Sequence, residues 1–342
     1  MGLFIKLRVF IEEEKKINTF GKSTIQISGS IAFDTILEFE GKFSDQILPN
    51  QLSNINVSFL TLKMKKEFGG CAANIAYNLN ALGDNCTLLG TVGKDSDEYI
   101  DELKNCGIDT SQLIKCSDQY TAQAFITTDS DGNQITSFHP GAMMNEKVAG
   151  LANHSTSIGI ISPNSHHAMT KNANEFFDRG IHFIFDPGQA LPMFDISDLK
   201  SFVSKSSWIT VNKYEGEILS KKLQLTLEEI TQKLLPKKNG GIIQTLGDKG
   251  CKVFTKENYR EISAIKISNA VDPTGCGDAF RAGMLFALSR QSSLEDSACL
   301  GNVLGSIKVQ KKGAQNHSVN VKTIMQELRE NYSEVIINFE KL

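Results

Sequence analysis

Apolar residues along this chain recur with two alternating periods. Ile25–Ile31, Cys86–Val92, Ile158–Ser162, Phe183–Asp186, Trp208–Asn212 and Ile242–Leu246 are apolar runs of strand length. Between and after them the spacing lengthens to the helical i, i+3, i+4 pattern. A helix opening at Gly69-Gly70 presents Ile75, Leu79 and Leu82 on one face, with Gly83 as its terminator. Further helices are predicted over Ser96–Cys106, Lys171–Arg179, Leu227–Leu235, Asp278–Arg290, Leu294–Lys312 and Val321–Tyr332. Strands alternating with helices predict right-handed crossovers and a mainly parallel sheet covered on both faces.

Two stretches break the alternation. Residues 38–68 carry β-rich pieces such as Val57–Leu62 without helical periodicity. Residues 121–142 read as a hairpin around Asp129-Ser-Asp-Gly-Asn133. Both follow early strand ends, so they are predicted to meet as a small sheet, a lid over the main strands' C-terminal ends. Residues 1–23 look appended, with a mildly apolar start, a charged run from Glu12 to Lys16 and no small-residue cleavage site. They read as a flexible extension rather than a signal peptide, leaving 24–342 as one domain.

Composition narrows the class. A formal net charge of -3 over 342 residues gives no reason to expect nucleic acid as a partner; basic residues are scattered except for Lys63, Lys65 and Lys66 and Lys308, Lys311 and Lys312, which read as solvated faces. No apolar run approaches the ~18 residues of a membrane span. Seven cysteines without a C-x-x-C pair favour reduced thiols in a cytoplasmic protein. His166-His167 lacks metal-ligand spacing and reads as surface.

The chemistry concentrates at Asp272-Pro-Thr-Gly-Cys-Gly-Asp278, which runs into the apolar face of Phe280, Met284, Ala287 and Leu288. A glycine turn entering a helix presents unpaired N–H groups and the positive end of the dipole to an anion. Asp278 at that mouth is placed to deprotonate a hydroxyl while the turn holds a phosphoryl group. Such a helix N-terminus also lowers the pKa of a thiol, so Cys276 reads either as a small residue tolerated in the turn or as a reactive thiol. Asn74, in the first turn after Gly69-Gly70, can donate to and accept from polyol hydroxyls. Asp34 suits either a vicinal diol or a turn. Asn212 and Glu215, three apart after a strand, suit metal-bound water and phosphate or an N-terminal capping box. Thr245-Leu-Gly-Asp-Lys-Gly250 suits a nucleotide or a plain turn. Gly21-Lys-Ser-Thr24 lacks the first glycine and the strand of a P-loop, and no G-x-G-x-x-G follows the first strand.

In order, these segments resemble the PfkB/ribokinase family of ATP-dependent sugar and nucleoside kinases over roughly residues 24–330. Phe43-Ser-Asp-Gln-Ile-Leu-Pro49, Ser58-Phe-Leu60, Ser137-Phe-His-Pro-Gly-Ala-Met143 and Gly313-Ala-Gln315 are most similar to bacterial ribokinase-type adenosine kinases. The resemblance implies a three-layer ribokinase-like fold and a purine-salvage kinase that converts adenosine to AMP with ATP and Mg²⁺. It implies Asp278 as general base and Gly275, Cys276 and Gly277 as anion hole. Ser30, Asp34, Ser58, Gly70 and Asn74 would lie on the ribose, with Phe138 on the purine. Asn212 and Glu215 would organise Mg²⁺ through water, and Thr245, Gly247 and Gly250 would line the ATP site. Asp272 with carbonyls near Gly313 would hold K⁺, and a homodimer would form through exposed lid edges. Two alternatives stand beside this reading: a kinase acting on ribose, fructose or another nucleoside, and a non-catalytic nucleoside-binding regulator.

Overall fold

The computed structural model describes residues 24–47, 56–153, 155–236, 240–332 and 334–339. The extension predicted at 1–23, and Pro49, lie outside the described residues.

The strands are β1 (Thr24–Ser28), β2 (Ala32–Phe39), β3 (Thr61–Gly69), β4 (Cys86–Leu89), β5 (Thr91–Val92), β6 (Ile114–Lys115), β7 (Ala122–Thr128), β8 (Gln134–His139), β9 (Thr156–Ile161), β10 (Phe183–Phe185), β11 (Trp208–Asn212), β12 (Gly241–Thr245), β13 (Cys251–Thr255) and β14 (Tyr259–Ile262). The α-helices are α1 (Phe43–Gln46), α2 (Cys71–Ala81), α3 (Asp97–Asn105), α4 (His166–Asp178), α5 (Ile196–Lys205), α6 (Lys213–Leu223), α7 (Leu227–Lys233), α8 (Cys276–Ser289), α9 (Leu294–Lys308) and α10 (Val321–Asn331).

Eight strands form the central sheet in the order β14-β13-β12-β11-β10-β9-β1-β4. Pairing is parallel from β12 to β4, and β13 and β14 add an antiparallel edge. Successive side chains leave opposite faces of each strand, so a strand buried on both faces reads as continuously apolar. Ile160 and Ile184 enter one core layer with Ile75, Leu79, Met284, Val303 and Ile324. Their neighbours Ile161 and Phe185 enter the other layer, with Met169, Phe176, Phe202, Leu219 and Ile230. Helices α2, α8, α9 and α10 therefore cover one face, and α4 to α7 the other.

Three features depart from the expected pattern. The β13–β14 hairpin was not anticipated, because Cys251 and Val253 alternate with polar residues and the run is short. Helix α4 begins five residues before the predicted Lys171, where Ser165 caps it through Ala168 N–H at 3.3 Å. The predicted Cys86–Val92 strand divides at Gly90, and its second half, β5, pairs with β6 apart from the main sheet.

The small sheet, ordered β3-β2-β7-β8, draws β3, β7 and β8 from the two interruptions, but its central strand β2 lies almost wholly before residue 38. Chain continuity from β1 through Ile31 into β2 sets it over the C-terminal ends of the parallel strands. Directly paired residues share a face. The pairs Asp34–Glu67, Asp34–Ala124 and Ala124–Phe138 form one row across it. Leu37–Met64, Thr35–Phe125 and Thr127–Ile135 belong to the opposite face.

Candidate active site

Two helix N-termini converge at the sheet's C-terminal edge. Gly275 caps α8 in the left-handed region at φ 79°, where a β-carbon would stand 2.8 Å from the Ala314 β-carbon. The following amide, Cys276, donates to Pro273 O at 3.1 Å and closes the turn. Among the described residues the N–H groups of Gly275, Gly277 and Asp278 have no acceptor, and all three residues line the same cleft. The predicted anion site therefore comprises these three amides. Cys276 leaves the set because its N–H is spent on the turn. Burial pushes its thiol up to about 11, outweighing the helix N-terminus, which favours the reading as a small turn residue over a reactive thiol.

Asn74, in the first turn of α2, donates through Nδ2 to Asp278 Oδ2 at 2.8 Å. Its Oδ1 accepts from Gln315 Nε2 at 2.9 Å. The same Gln315 amine donates to Tyr99 Oη at 2.8 Å, and Tyr99 in turn donates to Gly69 O at 2.7 Å. This relay fixes which end of the Asn74 carboxamide faces the carboxylate. Ser30, predicted on the sugar, gives its hydroxyl oxygen to the α2 terminus, accepting from Cys71 N–H at 3.1 Å. Its own proton is still available to a ligand.

Burial raises Asp278 to about 6, reinforced by Asp186 and Asp34 and opposed by the Arg281 charge and the Asn74 hydrogen bond. Asp34 is likewise raised to about 6, by burial and then by Glu67 and Asp272. Two carboxylates whose surroundings favour protonation thus share one region, a pattern typical of functional sites. Arg281, one turn after Asp278, donates through Nη2 to Asp186 Oδ1 at 2.6 Å, and Ser162 Oγ donates to Asp186 Oδ2 at 3.0 Å. Burial opposes the Arg281 charge, but Asp186 holds the guanidinium firmly protonated. Neither Arg281 nor Asp186 was anticipated. The available signals were a lone charge within an apolar helix face and a carboxylate directly after β10.

A cleft of about 1160 Å³ runs from Asp278 and Arg281 along the ends of β11 and β12. Asn212, Glu215, Thr245 and Gly247 line it, as predicted. Asn212 and Glu215 also form the capping box of α6: Asn212 N–H and Nδ2 donate to Glu215 at 2.8 and 2.7 Å, and Glu215 N–H returns to Asn212 Oδ1 at 2.8 Å. Each Glu215 oxygen keeps one lone pair for water. Gly250 is absent from the lining. Its φ of 92° and the 2.0 Å from an added β-carbon to Ile262 O give it a backbone role at the entry to β13. Phe138 is 44% exposed on the Asp34 face of the small sheet. Ser58 is exposed in the segment before β3, where no described hydrogen bond joins it to these groups.

Both Asp272 carboxylate oxygens are engaged by backbone N–H groups. Its Oδ1 accepts Thr274 N–H at 2.9 Å and its Oδ2 accepts Gly313 N–H at 2.8 Å. These bonds hold the carboxyl below its ordinary range although burial opposes them. Beside it lies the ammonium of Lys308, which donates to Asp272 O at 2.8 Å and Lys311 O at 3.1 Å. Among the described residues no group of three or more His, Cys, Asp or Glu is placed to hold a metal ion.

A doubly covered parallel sheet with an anion-binding helix terminus and an adjacent carboxylate defines a phosphotransferase acting on a hydroxyl. The pfkB family carbohydrate kinase model matches residues 47–321, and the chain belongs to that family. It is 33% identical over 264 residues to a nucleoside kinase of Methanocaldococcus jannaschii, covering 77% of this chain and 85% of that one. It superposes with a TM-score of 0.78 and 36% identity on a Burkholderia thailandensis nucleoside kinase in complex with ADP-inosine, covering 93% of this chain and 99% of the other. A probable chloroplastic fructokinase of Arabidopsis thaliana is 27% identical over 275 residues, 73% of this chain and 71% of that one.

The raised Asp278 fixes the sign of a stability test. A carboxyl with a folded value near 6 against an ordinary 3.8 stabilises the fold most below pH 4, and that contribution is lost as pH rises through 6. Asp278→Asn removes the charge but keeps the Asn74 acceptor. The variant is expected to be more stable than wild type at pH 8, by on the order of 1 kcal/mol after allowing for partial solvent access. The difference should vanish by pH 4. Urea midpoints across that range check it.

Proposed function

We propose that this kinase transfers the γ-phosphoryl group of ATP to the 5′-hydroxyl of a nucleoside, with adenosine as acceptor and AMP as product. The observation that carries the chemistry is the Asp278 carboxylate, held by Asn74 beside three amides without acceptors at the end of a nucleotide-sized cleft. Asp278 takes the hydroxyl proton as oxygen attacks phosphorus. The amides of Gly275, Gly277 and Asp278 receive the charge that accumulates on the phosphoryl oxygens. The nucleotide lies along Asn212, Thr245 and Gly247, and Arg281 places a fixed cation beside its phosphates. Glu215, through the lone pairs left by the capping box, would hold the water of a Mg²⁺ ion, which would supply charge neutralisation at the phosphates. The small sheet acts as the lid that excludes water from the phosphoryl group.

The choice of a nucleoside over a free sugar is supported by the small-sheet register. Asp34 and Phe138 share a row separated by one strand, about 10 Å at ordinary strand spacing. A ribose gripped by Asp34, with Gly70 and Asn74 beneath, therefore carries its base toward the Phe138 ring. The related nucleoside kinases support the same choice. The opposite face carries Leu62, Met64, Phe125 and Ile135, exposed by 67, 72, 41 and 39%. It supports pairing of two copies through that face rather than through strand edges.

Asp278→Asn is expected to lower turnover at least ~100-fold while adenosine binding by calorimetry stays within a few-fold. Retention of a tenth of the wild-type rate assigns the base elsewhere. Phe138→Ala should raise KM for adenosine or inosine about 10-fold or more, the loss of one stacked base, and leave any turnover of ribose unchanged. Equal rates on fructose or ribose and on nucleosides would favour the sugar-kinase reading. Met64→Glu should shift sedimentation from dimer to monomer; a wild-type monomer removes the pairing proposal.

A further inference from the structure

We propose that the Lys308 ammonium is a built-in cation that fastens the 272–278 turn in place and makes phosphoryl transfer independent of K⁺. The inference rests on the reading of the 275–278 turn as the phosphoryl site.

Lys308 closes the last turn of α9 with its side chain fully buried. A buried ammonium is costly unless oxygen atoms surround it. Here Asp272 O lies at 2.8 Å, Lys311 O at 3.1 Å and Asp272 Oδ2 at 3.8 Å. Two ammonium protons thus meet backbone carbonyls, and the Asp272 carboxylate lies within ion-pair reach. The surrounding chain is stitched at the same point. Val271 and Asp272 N–H both donate to Val309 O, at 2.8 and 3.0 Å, and Gly313 N–H returns to Asp272 at 2.8 Å. Ala314, next in the chain, packs where a β-carbon on Gly275 would collide. The position of the ammonium therefore passes through the 309–314 turn to the cap of α8 and to the amides beside Asp278.

A potassium ion coordinates through carbonyl and carboxylate oxygens that replace its hydration shell. The family resemblance places such an ion against Asp272 and carbonyls near Gly313. In this chain Nζ already sits on the Asp272 and Lys311 carbonyls and beside the Asp272 carboxylate, so its charge repels a second cation there. The residues do not fit a resident K⁺. One charge in one place serves instead, with no dissociation to limit it. Lys308 touches neither substrate nor nucleotide, so it is a positioning residue.

The test compares full-length wild type and Lys308→Met with adenosine and the Tris salt of Mg-ATP, in choline chloride or KCl of equal ionic strength. Wild-type rate is expected to change less than about two-fold, and its thermal midpoint to be the same in both salts. Lys308→Met should lose on the order of 10²-fold in rate in choline, the cost of a turn misplaced by about 1 Å. K⁺ or NH₄⁺ should restore much of the rate and raise the midpoint in the variant alone. Lys308→Gln, which keeps a donor for the carbonyls, provides the same comparison if the methionine variant does not fold. A wild type that needs K⁺ overturns the proposal. So does a pair of variants that match wild-type rate in choline, or that respond to no cation in rate or midpoint. If wild type turns over no acceptor at all, the phosphoryl-site reading fails instead, and the midpoints still report on Lys308.

Discussion

The 2.8 Å hydrogen bond from Asn74 to Asp278 joins residues 204 apart in the chain, and the site depends on it. It brings the N-termini of α2 and α8 to one point, so two positive helix ends face the same space. A carboxylate there is drawn in by both dipoles and pushed toward protonation by its own burial. Asn74 resolves the contest by offering a neutral donor that removes no charge from the base. An amide can present either end, and the wrong end would set oxygen against oxygen. Gln315, near the C-terminal end of the fold, prevents this by donating to Asn74 Oδ1 while Tyr99 anchors Gln315 in turn. Three distant parts of the chain must therefore be docked before the base is aimed.

A comparable constraint governs the small sheet. Side chains alternate across a strand, so a slip of one residue between β2 and β7 would exchange the Asp34 row for the Leu37 row. Asp34 would then leave the cleft and an apolar side chain would enter it. The register is held from both sides: β3 lies antiparallel to β2 over eight pairs, and β7 lies parallel to β2 over seven. Gln123, paired with Phe33 across β2 and β7, also donates through its side chain to the diagonal neighbour Thr35. Phe33, Phe68 and Tyr99 pack together at the root of the sheet, with ring centroids 4.4 to 6.1 Å apart. The lid is thus continuous with the core that carries the Tyr99 relay.

Much of this architecture was legible in the residues, and the failures have physical causes. Trp208–Asn212 was read with its observed bounds because its aromatic and β-branched residues, Trp208 to Val211, suit a strand packed on both faces. The turn at 275–278 was legible because only glycine tolerates φ near 79° there. Which amides remain free was not legible, since that depends on whether Pro273 O reaches back to Cys276. Long-range partners were equally hidden: nothing near Arg281 in sequence announces Asp186, 95 residues earlier. Lys308, beside Lys311 and Lys312 in a helix expected to run to Lys312, read as part of a solvated basic face. Only the packing of α9 against the 309–313 turn turns it into a buried cation. Asn212 and Glu215 show a subtler limit, because the capping box and the cleft-lining position coexist and spacing alone cannot choose between them.

The charge arrangement around Asp278 also suits a carboxylate to the proposed role of general base. At an ordinary value near 3.8 it would be ionised at neutral pH but would hold a proton only weakly. Raised to about 6, it is still roughly nine-tenths ionised at pH 7 and binds a proton about a hundred times more tightly. That is the compromise general-base catalysis favours, because proton affinity and the correct protonation state are both needed. Arg281 sets the upper limit. Were its charge free, it would pull Asp278 down; Asp186 absorbs most of it through a paired contact and leaves a modest residual field. Incoming phosphates add negative charge and push Asp278 upward again, so its proton affinity should increase as the nucleotide binds. A base that strengthens when the donor is present, beside amides that act only on a phosphoryl group, ties proton removal to the moment at which transfer can follow.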